Sequence, residues 1–395
     1  MSHSERARLA GVVFVVLFTQ LLVYPGVDEL VAAVGGGGSI DASTAFLAVQ
    51  LVAFVLFSAV WGALSDWTGR RIPFIVAGAL GGAVAYLALL VVVVTQIGDF
   101  RTALALRFLE GSFTIGAFSL SITMLMDLDG GHGRNMGAAG IAIGAGAALG
   151  APVGGQLYGF GPLAPIAVSA SLLFVVAGVM VTVPDRAPTA RGGLGRVFDG
   201  IRATPELLIP YAFGFADRFT AGFFGLVGTL YFRQAFGLTP AMTGLVLACF
   251  FAPFALLQYP LGVLSDRVGR VVPIVAGSVG YGVAIVAVGV APTVELAAAG
   301  MVLVGVLGAL VAPATMALVT DMAGGERGAA MGGFNIFGSL GFLGGILGGG
   351  TIASTYGFFA AFAVAGALEM GIVILALPVL LRVVPDPTAT FGTPE

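Results

Sequence analysis

From Leu9 to Arg382 the chain is a succession of apolar runs of about 20 residues separated by short polar breaks, and each run is long enough to cross a bilayer as a helix. Only 9% of the residues are charged and 58% are hydrophobic, against about 25% charged in an ordinary soluble domain. A water-soluble globular fold is excluded. Runs such as Phe74 to Val94 are apolar on every face, whereas a membrane barrel needs alternating apolar and polar residues, so a barrel is excluded too. The 62 glycines show no three-residue period, which removes a collagen-like reading.

The fold class expected is therefore an all-α polytopic membrane protein with twelve transmembrane helices. The spans fall near 9–30, 44–64, 73–95, 101–126, 136–158 and 163–183, then 206–232, 240–264, 273–291, 295–320, 330–353 and 356–382. This gives an N-terminal six-helix bundle (1–183), a linker (184–205), a C-terminal six-helix bundle (206–384) and a disordered tail (385–395) with three prolines. Arg6 to Gly35 is read as the first span and not as a signal peptide, because its apolar core is long and leads into eleven more spans.

All 17 basic residues are arginine. Alternate loops place Arg6, Arg8, Arg70, Arg71, Arg134, Arg186, Arg191, Arg196, Arg202, Arg267, Arg270, Arg327 and Arg382 on the side of the N-terminus, and only Arg101 and Arg233 on the other. Positive charge marks the cytoplasmic side, so a multi-pass protein of the cell membrane with both termini in the cytoplasm is expected. The lone Cys249 and the two histidines, His3 and His132, offer no disulfide framework and no metal cluster. Without lysine there is no phosphate-binding GxxxxGK[ST] loop, and no Rossmann fingerprint follows a strand. No cofactor, no metal and no nucleic-acid partner are expected. No nucleophile, base and orienting group stand together at motif spacing, which argues against an enzyme.

Gly62-Ala63-Leu64-Ser65-Asp66-Trp67-Thr68-Gly69-Arg70 returns 200 residues later as Gly262-Val263-Leu264-Ser265-Asp266-Arg267-Val268-Gly269-Arg270, and Pro73 returns as Pro273. A loop duplicated at the same place in each half marks a transporter built from repeats related by an axis along the membrane normal. Asp66 and Arg70 are spaced for a short-range ion pair. The next helix end in each half carries a further acid, Asp127 and Asp321, so paired triads are expected.

At these residues the chain resembles the major facilitator superfamily, whose loop between spans two and three reads G-x-L-x-D-x-x-G-R-[RK]. Residues 62 to 71 fit it completely, while the second copy ends in Val271. The resemblance implies two six-helix bundles related by pseudo-two-fold symmetry around a central cavity, and alternating access. It implies that Asp66, Arg70 and Asp127 gate one half and Asp266, Arg270 and Asp321 the other. Arg107-Phe108-Leu109-Glu110-Gly111 is similar to the R-x-x-Q-G pattern of proton-coupled members, with Glu110 in place of the amide. Gly140, Gly144, Gly146, Gly150, Pro152, Gly154 and Gly155 resemble the glycine-rich pattern of proton-driven exporters, with Ala151 where that pattern has glycine. Packing through small residues four apart explains those glycines equally, as it does Gly341, Gly345 and Gly349.

Ionisable groups inside a span cost about 2.5–3.5 kcal/mol each, so those present need partners or a task. Arg107 and Glu110, three apart on one helical face, can pair within span four. Asp217 and the adjacent Arg218 point about 100° apart and each look to another span. Because the family lines its cavity with spans one, four, seven and ten, Arg107, Glu110, Asp217 and Arg218 are the candidate coupling and substrate residues, with Glu110 and Asp217 carrying the proton. Glu369 on span twelve and Asp28 and Glu29 near the outer end of span one come next. The expected function is a monomeric secondary transporter, a proton-coupled antiporter in efflux of amphipathic or drug-like solutes. The alternatives are an importer or exchanger of organic anions or sugars, and a scaffold or receptor without transport.

Overall fold

A computed structural model describes residues 2–128, 132–185, 200–324 and 327–383. Most of the 184–205 linker and the 385–395 tail lie outside the described residues. Among the described residues the chain is helical and has no strand. The helices are α1 (Ser2–Leu22), α2 (Val27–Ala33), α3 (Ile40–Thr68), α4 (Ile72–Thr95), α5 (Phe100–Met126), α6 (His132–Leu157) and α7 (Ala164–Met180). They continue as α8 (Leu208–Phe223), α9 (Thr229–Ala235), α10 (Pro240–Val268), α11 (Val271–Gly289), α12 (Val294–Met322), α13 (Arg327–Tyr356) and α14 (Phe358–Val383). Ten helical segments are long and apolar enough to cross a membrane, and Ala164–Met180 is a shorter apolar helix.

Helix ends follow local chemistry. Ser39, Asp99 and Thr293 each cap a helix by accepting a hydrogen bond from the backbone N–H three residues on, at Ala42 (3.1 Å), Thr102 (3.0 Å) and Leu296 (3.4 Å). Asp99 also accepts from the Thr102 hydroxyl, and these hydrogen bonds hold its carboxyl below the usual carboxylate range. Gly69, at φ 64°, takes the left-handed conformation that ends α3 and lets α4 start three residues later.

Several helices run past the apolar runs. α3 and α10 carry Asp66 and Asp266 within their last turn, and α12 carries Asp321, because a helix continues into water until a cap stops it. The first run is not one regular helix: Pro25 sits in a 3-10 turn, Tyr24–Gly26, between α1 and α2. The seventh passes from α8 through a π-turn, Phe224–Gly228, into α9. Such turns gather at functional positions.

The chain divides into two compact units, 1–192 with 228–248, and 193–227 with 249–395. In the first, α1 packs on α6, and α5 packs on α3 and α4. Glycines make the closest approaches. A β-carbon on Gly146 would lie 3.0 Å from the Phe14 carbonyl, one on Gly150 would lie 2.6 Å from Leu21, and one on Gly154 would meet the Leu22 backbone. In the second unit α8 packs on α13, where β-carbons on Gly341 and Gly345 would strike the Phe215 and Phe219 carbonyls. The rings of Phe223, Phe224, Phe250 and Phe362 meet edge-on or tilted at centroid distances of 5.0 to 6.0 Å, so these aromatics form core.

Candidate functional site

Four groups of charged side chains stand out. The first is built on α3, α4 and α5 inside the first unit, where Arg107 and Glu110 are both buried. One turn apart on α5, they form the ion pair their spacing permits, Nη1 to Oε2 at 3.0 Å. Gln50 of α3 completes a ring: its Oε1 accepts from Arg107 Nη2 and its Nε2 donates to Glu110 Oε1 at 3.3 Å. An amide suits this place because it accepts from the cation and donates to the anion at once. Arg107 also donates to the Tyr86 hydroxyl (3.2 Å), and Thr114 donates to Glu110 (3.1 Å). The guanidinium carbon lies 4.8 Å from the Phe46 ring centre, a cation–π contact. A buried pair is tolerable only when its lone pairs and protons find such partners. This pair has charge balance, though Arg107 Nε remains without a partner.

The second group lies within the second unit. Asp217 on α8 is buried, and its Oδ2 is 3.6 Å from Arg218 Nε, an ion pair too long for a hydrogen bond. The Arg218 side chain is 44% exposed. Glu369 on α14 is buried with no cation paired to it among the described residues, and its Oε1 accepts from the Thr220 hydroxyl at 3.4 Å.

The third group comprises the two motif loops, which are wired differently. In the second copy Arg270 joins Asp266 and Asp321, the latter at 3.1 Å, and donates to the Ser265 hydroxyl at 3.1 Å. These hydrogen bonds and charges outweigh the desolvation of its guanidinium and push its pKa up. In the first copy the expected Asp66, Arg70 and Asp127 triad does not assemble. Asp127 pairs with Arg71, Arg70 is exposed, and neither Asp66 nor Arg70 has an ion-pair partner among the described residues. The reason is local: Arg71 is the residue before the first turn of α4, and its side chain is buried while that of Arg70 turns outward. Its backbone N–H also donates to both oxygens of Asp185, at 2.9 and 3.2 Å. Val271 stands where the first copy has Arg71, so only Arg270 is available in the second.

The fourth group was not foreseen as a unit. Arg233, just past the π-turn, donates to Asp28 at 2.8 Å, to Glu29 at 2.6 Å and to the Leu238 carbonyl at 3.1 Å. All belong to the first unit. Sequence reading also passed over Gln50, Tyr86, Asp185 and Thr220. Gln50, a lone amide in an apolar run, was the one signal available for these. Among the described residues no three His, Cys, Asp or Glu side chains converge to hold a metal ion.

The family model described as Major Facilitator Superfamily matches residues 9–215 and again 207–395. No curated protein matches the sequence. Among solved structures, a bacterial homologue of the human lysosomal transporter Spinster, inward-facing and occupied, is similar at 11% identity and TM-score 0.79, covering 97% of this chain and 98% of that one. A mutant of the nucleoside transporter NupG is similar at 12% identity and TM-score 0.75, covering 95% and 99%. The human organic anion transporter MFSD10 (TETRAN) is similar at 20% identity and TM-score 0.65, covering 94% and 99%. At these identities the likeness is one of fold.

Proposed function

Because the chain belongs to the Major Facilitator Superfamily, we propose that it is a proton-coupled secondary transporter working by alternating access, with export of small amphipathic or drug-like solutes as its direction. Twelve spans in two six-helix bundles, a monomeric state and cytoplasmic termini in a cell membrane are part of this reading. The observation that carries it is the duplicated loop, which in each half ties a buried or half-buried arginine to the acid at the end of a neighbouring helix. Networks of this kind are bistable: they hold one access state and come apart in the other. Arg71, Asp127 and Asp185 are the proposed gate of the first half, with Asp66 and Arg70 free to engage in the other state. Arg270, Asp266 and Asp321 are that of the second.

Of the four coupling candidates, Asp217 and Arg218 are the pair proposed to meet the proton and the solute. Asp217 has a carboxylate oxygen without a partner, and the Arg218 head is half exposed. Arg107 and Glu110 are assigned to holding α3, α4 and α5 together, since they already satisfy each other. Flux of candidate solutes in proteoliposomes under an imposed pH gradient tests the reading. Accumulation should follow the gradient and invert with it. Flux indifferent to the gradient would remove proton coupling, and no flux of any solute would remove transport.

A second reading is favoured by the exposed Arg218 and by the likeness to an organic anion transporter: the solute is an organic anion whose carboxylate or sulfonate pairs with this guanidinium. Aryl carboxylates would then compete with one another for flux, lipophilic cations would not, and Arg218→Gln would raise KM for the anions alone.

A further inference from the structure

Resting on the proton-coupled reading, we infer that Asp217 and Glu369 together form one cation site inside the second unit, that its occupant is a single proton, and that Thr220 and Tyr281 complete it. Three helices bring these residues together: α8 carries Asp217 and, one turn on, Thr220; α11 carries Tyr281; α14 carries Glu369. α14 packs on both α8 and α11. All four side chains are buried. Thr220, one turn from Asp217, donates to Glu369 Oε1 at 3.4 Å, and a β-carbon on Gly282, the residue after Tyr281, would lie 3.4 Å from that of Glu369.

Unsatisfied hydrogen-bonding capacity points to a missing occupant. Asp217 Oδ1 and the Tyr281 hydroxyl are buried and have no partner among the described residues. Buried polar atoms are seldom left so, and each costs stability unless something fills the gap. Thr220 spends its proton on Glu369 Oε1. Asp217 Oδ1 is thus left to a donor such as the Tyr281 hydroxyl or to a proton brought from outside.

Charge leads to the same occupant. Ionised, Asp217 and Glu369 carry two negative charges against the one positive charge of Arg218, whose head is partly in solvent. One proton brings the sum to zero. Arg107 and Glu110 in the first unit are already balanced, so that pair calls for no cation. The other ionisable groups on the surrounding helices do not change the sum. Tyr211 is near the start of α8, where its hydroxyl donates to the Ala330 carbonyl. α10 adds Cys249 and the exposed Tyr259 and carries Asp266 and Arg267 in its last turn, and α14 carries Arg382 at its end. α12 and α13 carry theirs at their ends, at Glu295, Asp321, Arg327 and Tyr356. A divalent metal would leave the site one charge too positive, since two carboxylates and Arg218 sum to a single negative charge. Bound, the proton sits on an oxygen of one acid, and an Asp217 left ionised stays beside Arg218. Movement of Arg218 with the access state then makes proton and solute binding mutually dependent.

The test is a pH titration of the reconstituted full chain by infrared difference spectroscopy, joined to flux in the same vesicles. The site predicts one carboxylic-acid band, one proton per chain, that titrates in wild type and is lost or shifted in both Asp217→Asn and Glu369→Gln. Both variants should lose gradient-driven accumulation by about tenfold or more, within the range of a coupling free energy between two ligands. A wild-type chain with no titrating buried carboxyl overturns the site without any variant being needed. A band unchanged in Glu369→Gln, or sodium displacing the proton and driving flux, also overturns it. If wild-type flux ignores the pH gradient while the shared band is present, the proton-coupled reading falls and the site stands. If flux follows the gradient and Glu369→Gln keeps it, the site falls and the transport reading stands.

Discussion

Arg233 holds Asp28 at 2.7 Å, Nε to Oδ1, across 205 residues of sequence. Glu29 takes the other edge of the same guanidinium at 2.6 Å, so one fork serves two carboxylates at the start of α2. Arg233 and Asp28 are largely buried while the Glu29 side chain is 39% exposed, and hydrogen bonds to charged groups contribute about 1.5–3 kcal/mol where they are buried. Arg233→Gln should therefore lower the melting temperature in detergent, and Arg233→Lys should recover only part of the loss, because an ammonium lacks the planar fork. A melting temperature equal to wild type in both would show that this clamp adds no stability.

Two adjacent arginines in the first motif should behave unequally. Arg71 is buried against Asp127 and Asp185, whereas Arg70 is exposed. Arg71→Gln removes the partner of Asp127 and should cost about 1–3 kcal/mol and shift the balance of access states. Arg70→Gln should stay within about 0.5 kcal/mol in stability. Thermal unfolding together with cysteine accessibility decides it, and equal effects from both variants would contradict the wiring seen at this loop.

The glycines of α6 separate packing from transport. Gly154 is buried against the Leu22 backbone, while a β-carbon on Gly140 would meet nothing within 4 Å. Gly154→Ala should cost about 1–3 kcal/mol by overpacking. Gly140→Ala should be neutral or gain up to about 1 kcal/mol from helix propensity. If Gly140→Ala stops transport and leaves the melting temperature alone, the pattern is functional and packing is not its reason.

The helical membrane architecture was legible because it depends on runs of apolar residues, a property of sequence neighbours. The repeat was legible too, since both copies keep the offset of 200 residues. Which of two adjacent arginines faces Asp127 was not, because that depends on where Gly69 ends one helix and α4 begins. The grouping of Asp217, Thr220, Tyr281 and Glu369 was equally hidden. Its members sit on three helices up to 152 residues apart in the sequence, and only packing brings them together. Gln50 was visible as an odd amide in an apolar run, but its task of joining Arg107 to Glu110 needed the third dimension.

The Arg107 and Glu110 pair offers the sharpest separation of structure from coupling. If the pair is structural, Glu110→Gln alone leaves a buried guanidinium without its counter-charge, a loss of about 3–5 kcal/mol. Replacing both partners by groups of similar volume and no charge removes that penalty, because neither ion is then left in a low-dielectric interior. Glu110→Gln should therefore lower the melting temperature strongly, and the double variant Arg107→Met with Glu110→Gln should recover most of it. The recovered double variant should still accumulate solute under a pH gradient, since the proton is carried in the second unit. A double variant that is stable and exchanges solute but no longer accumulates it would assign the coupling proton to Glu110, with its hydrogen bonds from Gln50 and Thr114 as the means by which that acid is tuned.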